Sequence, residues 1–376
     1  MVSAMLDVRT GQRTYLREEV VDAVELNPAF LRPRPLRART FDDKTSLVGS
    51  LVASLALTWF AYTYVLPFSG LIGFFVVWYL SFALLYIATT ALGSPRTVVV
   101  DRLVSAVVHA GAMLTGLALF IAVSYPFVRG YRALFRVNFF TSDMSKTGPQ
   151  DPFNHGGALH AIVGTLIEIT IAVIIALPLG VGTAVFMSEV GGRFSRIVRT
   201  VVEAMTALPS VVAGLFIYTV VVVKLGVPKS GFPAALALTV MILPIIARAS
   251  DVVLRVVPSG LREASLALGA SKWQTVWRVV LPTVRPGLAT ALILGIARGV
   301  GETSPVLLTS GASTFMNVDP FNSQPMNSLP LYTYSAVRSG EPIFIQRGFA
   351  AAALLLTLVL FLFVIARLLA RQRVKA

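Results

Sequence analysis

The chain has 376 residues, of which 56 % are hydrophobic and only 13 % charged, with a formal net charge of +14 and no cysteine. At a mean hydropathy of +0.77 this is the composition of a polytopic membrane protein, not of a soluble domain with a large core. The missing cysteines exclude disulfide frameworks, cysteine metal sites and thiol catalysis, and the positive charge is spread over tails and loops in a way that argues against nucleic acid.

Residues 1–46 mix Arg13, Arg17, Glu18, Glu19, Asp22 and Glu25 with the run Arg32-Pro33-Arg34-Pro35-Leu36-Arg37, and read as a disordered or surface-lying cytoplasmic tail. They are polar, and the first apolar run is long enough to span, so no cleavable secretory signal is expected. Runs long enough to cross ~30 Å of hydrocarbon then predict eight spans, near 47–67, 71–92, 103–127, 159–187, 202–223, 232–249, 288–310 and 348–369. Eight spans place both termini on one side. Arg96, Arg102, Arg193, Arg196, Arg199, Arg371, Arg373 and Lys375 mark that side as the cytoplasm, against the sparser Arg129, Arg132, Arg136, Lys146, Lys224, Lys229 and Arg338 outside.

The first two spans are rich in aromatics (Trp59, Tyr62, Tyr64, Phe74, Phe75, Trp78, Tyr79) and uncharged, so they read as lipid-facing accessories over 47–95. The remainder, 96–376, reads as the transport core, with an outer loop at 128–158, a cytoplasmic loop at 250–287 and a cytoplasmic tail at 370–376. From Gly156 onward its spans carry Pro178, Gly180, Pro209, Gly214, Pro244, Gly295 and Gly299. Such residues are tolerated mid-membrane where neighbouring helices re-satisfy the backbone and pack closely. His109 falls within a predicted span and His155 and His160 at the outer end of another, without ligand spacing, and they read as structural or solvated.

Charge inside a bilayer costs roughly 2.5–3.5 kcal/mol per residue at the centre on translocon scales, which makes it functional by default. Arg298 and Glu302 in the seventh span are four apart and can pair on one helix face. They either neutralise each other and tie helices together, or Arg298 offers its planar fork of donors to an oxyanion while Glu302 competes for it and prevents trapping. Arg248 closes the sixth span, as a positive-inside anchor by sequence alone. Glu168, midway along the fourth span, is a candidate partner for an arginine on a neighbouring helix, and Lys224 reads as a snorkelling residue at the outer end of the fifth.

The longest interruption among the apolar runs is 259–282, SGLREASLALGASKWQTVWRVVLP. Ser259 is placed to cap a short helix whose Leu261, Ala264, Ala267 and Leu268 share one apolar face, with Gly269 just past its end. Ser271 and Gln274 form a capping box opening a second helix over 272–280, which Leu281-Pro282 stops. By itself the stretch fits either an amphipathic loop lying on the membrane or a docking surface for a soluble partner. Its Glu263-Ala264-Ser265, followed by Gly269 and Leu281-Pro282, resembles the EAA loop of ABC-importer permeases, with Ser265 where the family has alanine. In that family the loop couples transport to an ATP-hydrolysing subunit.

Further segments resemble the PstA-type permeases of phosphate ABC importers: Gly156-Gly157 with Gly164-Thr165-Leu166; Ala176-Leu177-Pro178-Leu179-Gly180 with Ser188-Glu189; Leu208-Pro209-Ser210 through Gly214-Leu215; Leu243-Pro244-Ile245-Ile246 with Arg248; and Gly301-Glu302-Thr303-Ser304-Pro305 before Leu307-Leu308-Thr309. The resemblance covers about 135–370. It departs from the usual pattern in having eight spans where six are usual, and Gly299 after the arginine where alanine is common. It implies an all-α polytopic fold with a type I (MetI-like) permease core, and substrate passage past Arg298, Glu302 and Arg248. Coupling would run through Glu263, Ala264, Gly269, Leu281 and Pro282. The implied partners are a PstC-like permease, a PstB-like ATPase dimer that binds ATP and magnesium, a PstS-like extracytoplasmic phosphate-binding protein, and membrane lipid. The chain itself binds no cofactor on this reading and is not an enzyme, since it contains no G-x-x-x-x-G-K-[ST] loop. The alternatives are a permease for sulfate or molybdate, an ion-coupled secondary transporter or channel, and, with no clustered Asp/His/Ser constellation to support it, a membrane-embedded enzyme.

Overall fold

The computed structural model describes residues 41–65 and 70–370. Most of the 1–46 tail, the end of the first predicted span and residues 371–376 lie outside the described residues. The chain divides into two compact units, Met1–Gly116 and Leu117–Ala376.

The first unit contains α1 (Phe41–Phe60), extended by a π turn at Ala61–Val65, then α2 (Leu71–Gly93) and the start of α3 (Arg96–Leu134). α1 and α2 form a hairpin. Ser50, Ser54 and Thr58, four apart and buried, make a small polar stripe that lets the backbones approach. The hydroxyl of Ser50 meets that of Thr89 on α2 at 3.2 Å. Trp59, Tyr64 and Phe75 stay exposed on the outside of the hairpin.

α3 runs for 39 residues through Pro126, ~58 Å at 1.5 Å per residue, well past the 103–127 expected of it. The second unit continues through α4 (Val137–Thr141), α5 (Leu159–Val185, with a π turn Phe186–Val190), α6 (Gly192–Thr206), α7 (Ser210–Ile217, with Tyr218–Lys224 in π form), α8 (Gly231–Arg255), α9 (Ser259–Ala267), α10 (Lys272–Thr275, continued by Val276–Val280 and a turn at Leu281–Thr283), α11 (Arg285–Val300), α12 (Ser304–Thr309), α13 (Leu329–Arg338) and α14 (Pro342–Ala370).

Six of the described helices are long and apolar enough to span, or eight if two bent pairs each count as one crossing. Two predicted spans are not straight helices. The 202–223 run breaks where Pro209 removes Leu208 from helical geometry: α6 and α7 meet at 105°, and Val202–Thr206 belongs to a separate amphipathic helix. The 288–310 run is interrupted after Val300, with Gly301-Glu302-Thr303 standing between α11 and α12.

α8 is the centre of the second unit. Ala234, Leu238, Ile242 and Ile246 pack with Ile169, Ala172 and Ala176 of α5, Val300 and Val306 beyond them, and Leu331 of α13. Glycines set how closely the neighbours approach. A Cβ on Gly180 would stand 2.9 Å from the Ile246 side chain, one on Gly295 2.8 Å from it, and one on Gly214 only 2.5 Å from the Pro305 backbone. Gly214→Ala is expected to destabilise the chain by about 1–3 kcal/mol through overpacking against backbone that cannot yield. Gly182→Ala, on α5 with nothing within 4 Å, leaves stability unchanged or slightly raised. Thermal unfolding of the two purified variants checks this, and equal behaviour would refute the packing argument.

At the end where α5 and α8 begin, the segment 311–328 is tied down. Asn327 donates to the Ser313 carbonyl at 2.6 Å, the Leu329 amide donates to Thr165 at 2.8 Å, and the Met316 amide donates to Asp143 at 3.1 Å. Burial presses the Asp143 carboxyl towards its neutral form, but the bonds from Ser145 and from the Met316 amide outweigh this and hold it below the usual carboxylate range. The neighbouring loop is closed from the far end of the chain. Arg347 on α14, 1 % exposed, donates to the carbonyls of Asp151, Pro152 and His155 at 3.1, 2.9 and 2.7 Å. His160 is buried edge-on against Tyr332, ring centroids 5.4 Å apart.

Candidate functional site

Arg298 lies in the last turn of α11, where Gly295 and Gly299 bring the helix down onto Ile246 and Ile242 of α8. The helix ends at Gly301, the Glu302 amide donates back to the Gly299 carbonyl at 3.2 Å, and Pro305 at the start of α12 restarts the chain. The anticipated pair forms: Arg298 Nη2 meets Glu302 Oε1 at 2.8 Å. Its two halves differ. The Arg298 side chain is 56 % exposed and that of Glu302 only 10 %, so the carboxylate is recessed in the break while the guanidinium stands out from it. A pair this exposed contributes only about 0–1 kcal/mol, weak enough for an incoming anion to compete. A cleft of about 350 Å³ opens beside the break, with Gly301, Thr303, Thr333, Tyr334 and Arg338 among its walls. Arg338 was read from sequence only as an outside charge and Tyr334 was not singled out, because α13 is a ten-residue helix too short to stand out among apolar runs.

Arg248 is not at the end of its helix, since α8 continues to Arg255. Gly299 packs at the level of Ile242, so Arg248, six residues further along α8, lies ~9 Å along the axis from the Arg298 level. There it is exposed and lines a second cleft of about 340 Å³ with Arg199, Glu203, Asp251 and Arg255. Glu168 has no arginine partner among the described residues. It is 1 % exposed, its polar neighbour is Ser310, and its Oε1 lacks a hydrogen bond, because its face of α5 looks into the bundle while Arg298 looks out. Lys224 closes the π segment after α7 and is exposed, as a snorkelling residue would be.

The 259–282 stretch folds as two short helices, with three changes from the sequence reading. Ser259 is the first helical residue after Pro258, not a cap. The second helix loosens into π geometry at Val276–Val280. Leu281-Pro282 form a further helical turn, and the chain bends by 74° only after Thr283, before Arg285. Gly269 has φ +83°, the left-handed geometry that favours glycine at a helix end, and the capping box is complete, with the Ser271 amide to Gln274 at 2.8 Å and the Gln274 amide to Ser271 at 3.2 Å. Ser265, in the third EAA position, bonds Thr275 at 2.9 Å and joins the two helices. Glu263, Leu261, Ala264 and Leu268 are exposed, as are Trp273 and Trp277. The anchor is Arg262, absent from the sequence reading. It takes Glu189 at 2.9 and 3.2 Å and the carbonyls of Leu254 and Val257 at 2.9 and 2.7 Å, fixing α9 to the ends of both α5 and α8.

A polytopic bundle with a broken, charged helix and an anchored two-helix loop of this kind defines a transporter permease. Residues 176–375 match the family model for the binding-protein-dependent transport system inner membrane component, and the chain belongs to this family. Over 232 residues it is 40 % identical to the Phosphate transport system permease protein PstA 1 of Mycobacterium tuberculosis (strain CDC 1551 / Oshkosh), covering 61 % of this chain and 75 % of that protein. It is 32 % identical over 226 residues to PstA of Pasteurella multocida (strain Pm70), covering 60 % and 80 %. Among solved structures, a chain of a bacterial ABC transporter involved in the import of the acidic polysaccharide alginate superposes with a TM-score of 0.51 at 15 % identity, over 73 % of this chain and 99 % of that one. That likeness bears on the fold, a type I ABC-importer permease core. The chain is thus a multi-pass inner-membrane permease subunit, and the PstA-type resemblance holds.

Proposed function

We propose that this chain is the PstA-type half of an ATP-driven importer that moves inorganic phosphate into the cytoplasm. The observation that carries the reading is the asymmetric Arg298–Glu302 pair at the helix break, with its donors outward and its carboxylate recessed. A tetrahedral oxyanion satisfies several guanidinium N–H groups at once, and the restraint by Glu302 keeps binding from becoming a trap. The names of its relatives support phosphate as the anion. Arg248, further towards the coupling loop, would receive the anion next. A PstC-like permease would complete the path, a PstS-like protein would deliver phosphate, and a PstB-like ATPase dimer would bind ATP and magnesium. That dimer would engage the exposed face around Glu263, Ala264 and Gly269, with Leu281 and Pro282 carrying the motion into α11. Both termini would then be cytoplasmic.

The test is uptake of labelled phosphate by phosphate-starved cells carrying the chain, with sulfate as competitor. Saturable uptake untouched by excess sulfate is the expected result. Inhibition by sulfate would keep the permease and change its anion, and uptake that persists without the ATPase subunit would overturn the ATP-driven reading.

A further inference from the structure

We propose that α6 and the end of α8 form a second anion site, distinct from Arg298, that binds a phosphate group at the end of the bundle carrying the coupling helices. A cleft of about 410 Å³ there is lined by Ser188, Gly192, Ser195, Arg196, Arg199 and Arg255. Its position follows from the Arg262 clamp: Glu189, next to Ser188, is the residue that α9 grips. Arg196, Arg199 and Arg255 line the cleft; Asp251 takes Arg199 at 3.3 Å and Arg255 at 3.0 Å, and Glu203 shares the adjoining cleft with Arg199 and Arg255. Arg196 makes no ion pair among the described residues, leaving the cleft with excess positive charge. Arg199 Nε is enclosed and has no acceptor among the described residues.

The helix geometry adds donors. Gly191 and Gly192, at φ +67° and +84°, make the turn that opens α6, and no side chain caps its first amides. Those amides and the positive end of the fifteen-residue α6 therefore lie at the Gly192 wall of the cleft, an arrangement suited to a phosphate group. α6 also exposes Phe194, Ile197 and Val201, so it is amphipathic in the manner of helices lying in a membrane interface. The phosphate group has two available sources, free inorganic phosphate or the headgroup of an anionic phospholipid. Occupancy would brace the turn next to Glu189 and so bear on how firmly the coupling helix is held.

The experiment uses the assembled transporter in nanodiscs and compares wild type with Arg196→Gln and Arg298→Ala. Arg196 is exposed and makes no ion pair among the described residues, so its replacement spares the fold. Two probes are read, equilibrium binding of radiolabelled inorganic phosphate in neutral lipid, and retention of phosphatidic acid by native mass spectrometry. Loss of one charge-assisted contact weakens binding by about tenfold. Phosphate binding weakened by Arg196→Gln and not by Arg298→Ala assigns the site to free phosphate. Phosphatidic acid retention lost in Arg196→Gln assigns it to a headgroup. If Arg196→Gln matches wild type with both probes, or only Arg298→Ala alters binding, there is no second site, and the uptake assay still judges the transport reading by itself.

Discussion

Arg298→Ala is expected to lower phosphate uptake by at least tenfold while the transporter still assembles. A hydrogen bond to a charged group contributes about 1.5–3 kcal/mol, or roughly 10- to 150-fold, and the variant removes every donor this side chain offers. Assembly should survive because the side chain is 56 % exposed and the helix is seated by Gly295 and Gly299. Arg298→Lys keeps the charge but loses the planar fork and should fall between the two. Glu302→Gln releases the restraint and should tighten binding while slowing turnover. Initial rates of labelled-phosphate uptake, with co-purification of the partner subunits as the assembly control, check all three. Normal uptake by Arg298→Ala would reduce the pair to a structural tie.

Arg262→Ala is expected to separate ATP hydrolysis from transport. The arginine closes two carbonyls at the end of α8 and a carboxylate at the end of α5. Removing one member of a buried pair costs 3–5 kcal/mol; here the side chains are 23 % and 16 % exposed, so about 2–3 kcal/mol is expected. That is enough to let α9 rock independently of α5 and α8. The ATPase partner would still dock on Glu263 and the exposed apolar face and still hydrolyse ATP, but its motion would not reach the bundle. Glu189→Gln, which retains an acceptor, should be milder. Parallel assays of ATP hydrolysis and uptake in proteoliposomes decide it, and coupled transport within twofold of wild type would sink the clamp as the transmitting element.

The helical class, most of the long apolar helices and the Arg298–Glu302 pairing were legible in the sequence because each depends on local quantities, namely run length and a spacing of four. Two breaks were not. Pro209 and Gly301 lie inside runs whose average hydropathy stays high, so a length criterion reads straight through them, although the chain bends by 105° at the first and the helix is interrupted at the second. Arg262 and Glu189 were hidden for another reason, being 73 residues apart in segments that looked like an exposed loop and a helix end. Arg199 likewise counted only as a positive-inside charge, and Arg255 was not singled out, until the fold brought α6 beside the end of α8. For Glu168 the sequence revealed a costly carboxyl and left its direction open, and the structure turns it towards Ser310.

The buried Arg347 imposes an order on how the protein is made. The carbonyls it closes belong to residues near 150, while the arginine itself is 195 positions downstream of Pro152 on the final helix. During synthesis the loop therefore emerges first, and the carbonyls of Asp151, Pro152 and His155 lack this donor until the intervening helices have been made. A nascent chain halted before residue 342 would still present an outer loop without its arginine donor. The last described helix thus acts as a latch on a loop that precedes its arginine by 195 positions at Pro152.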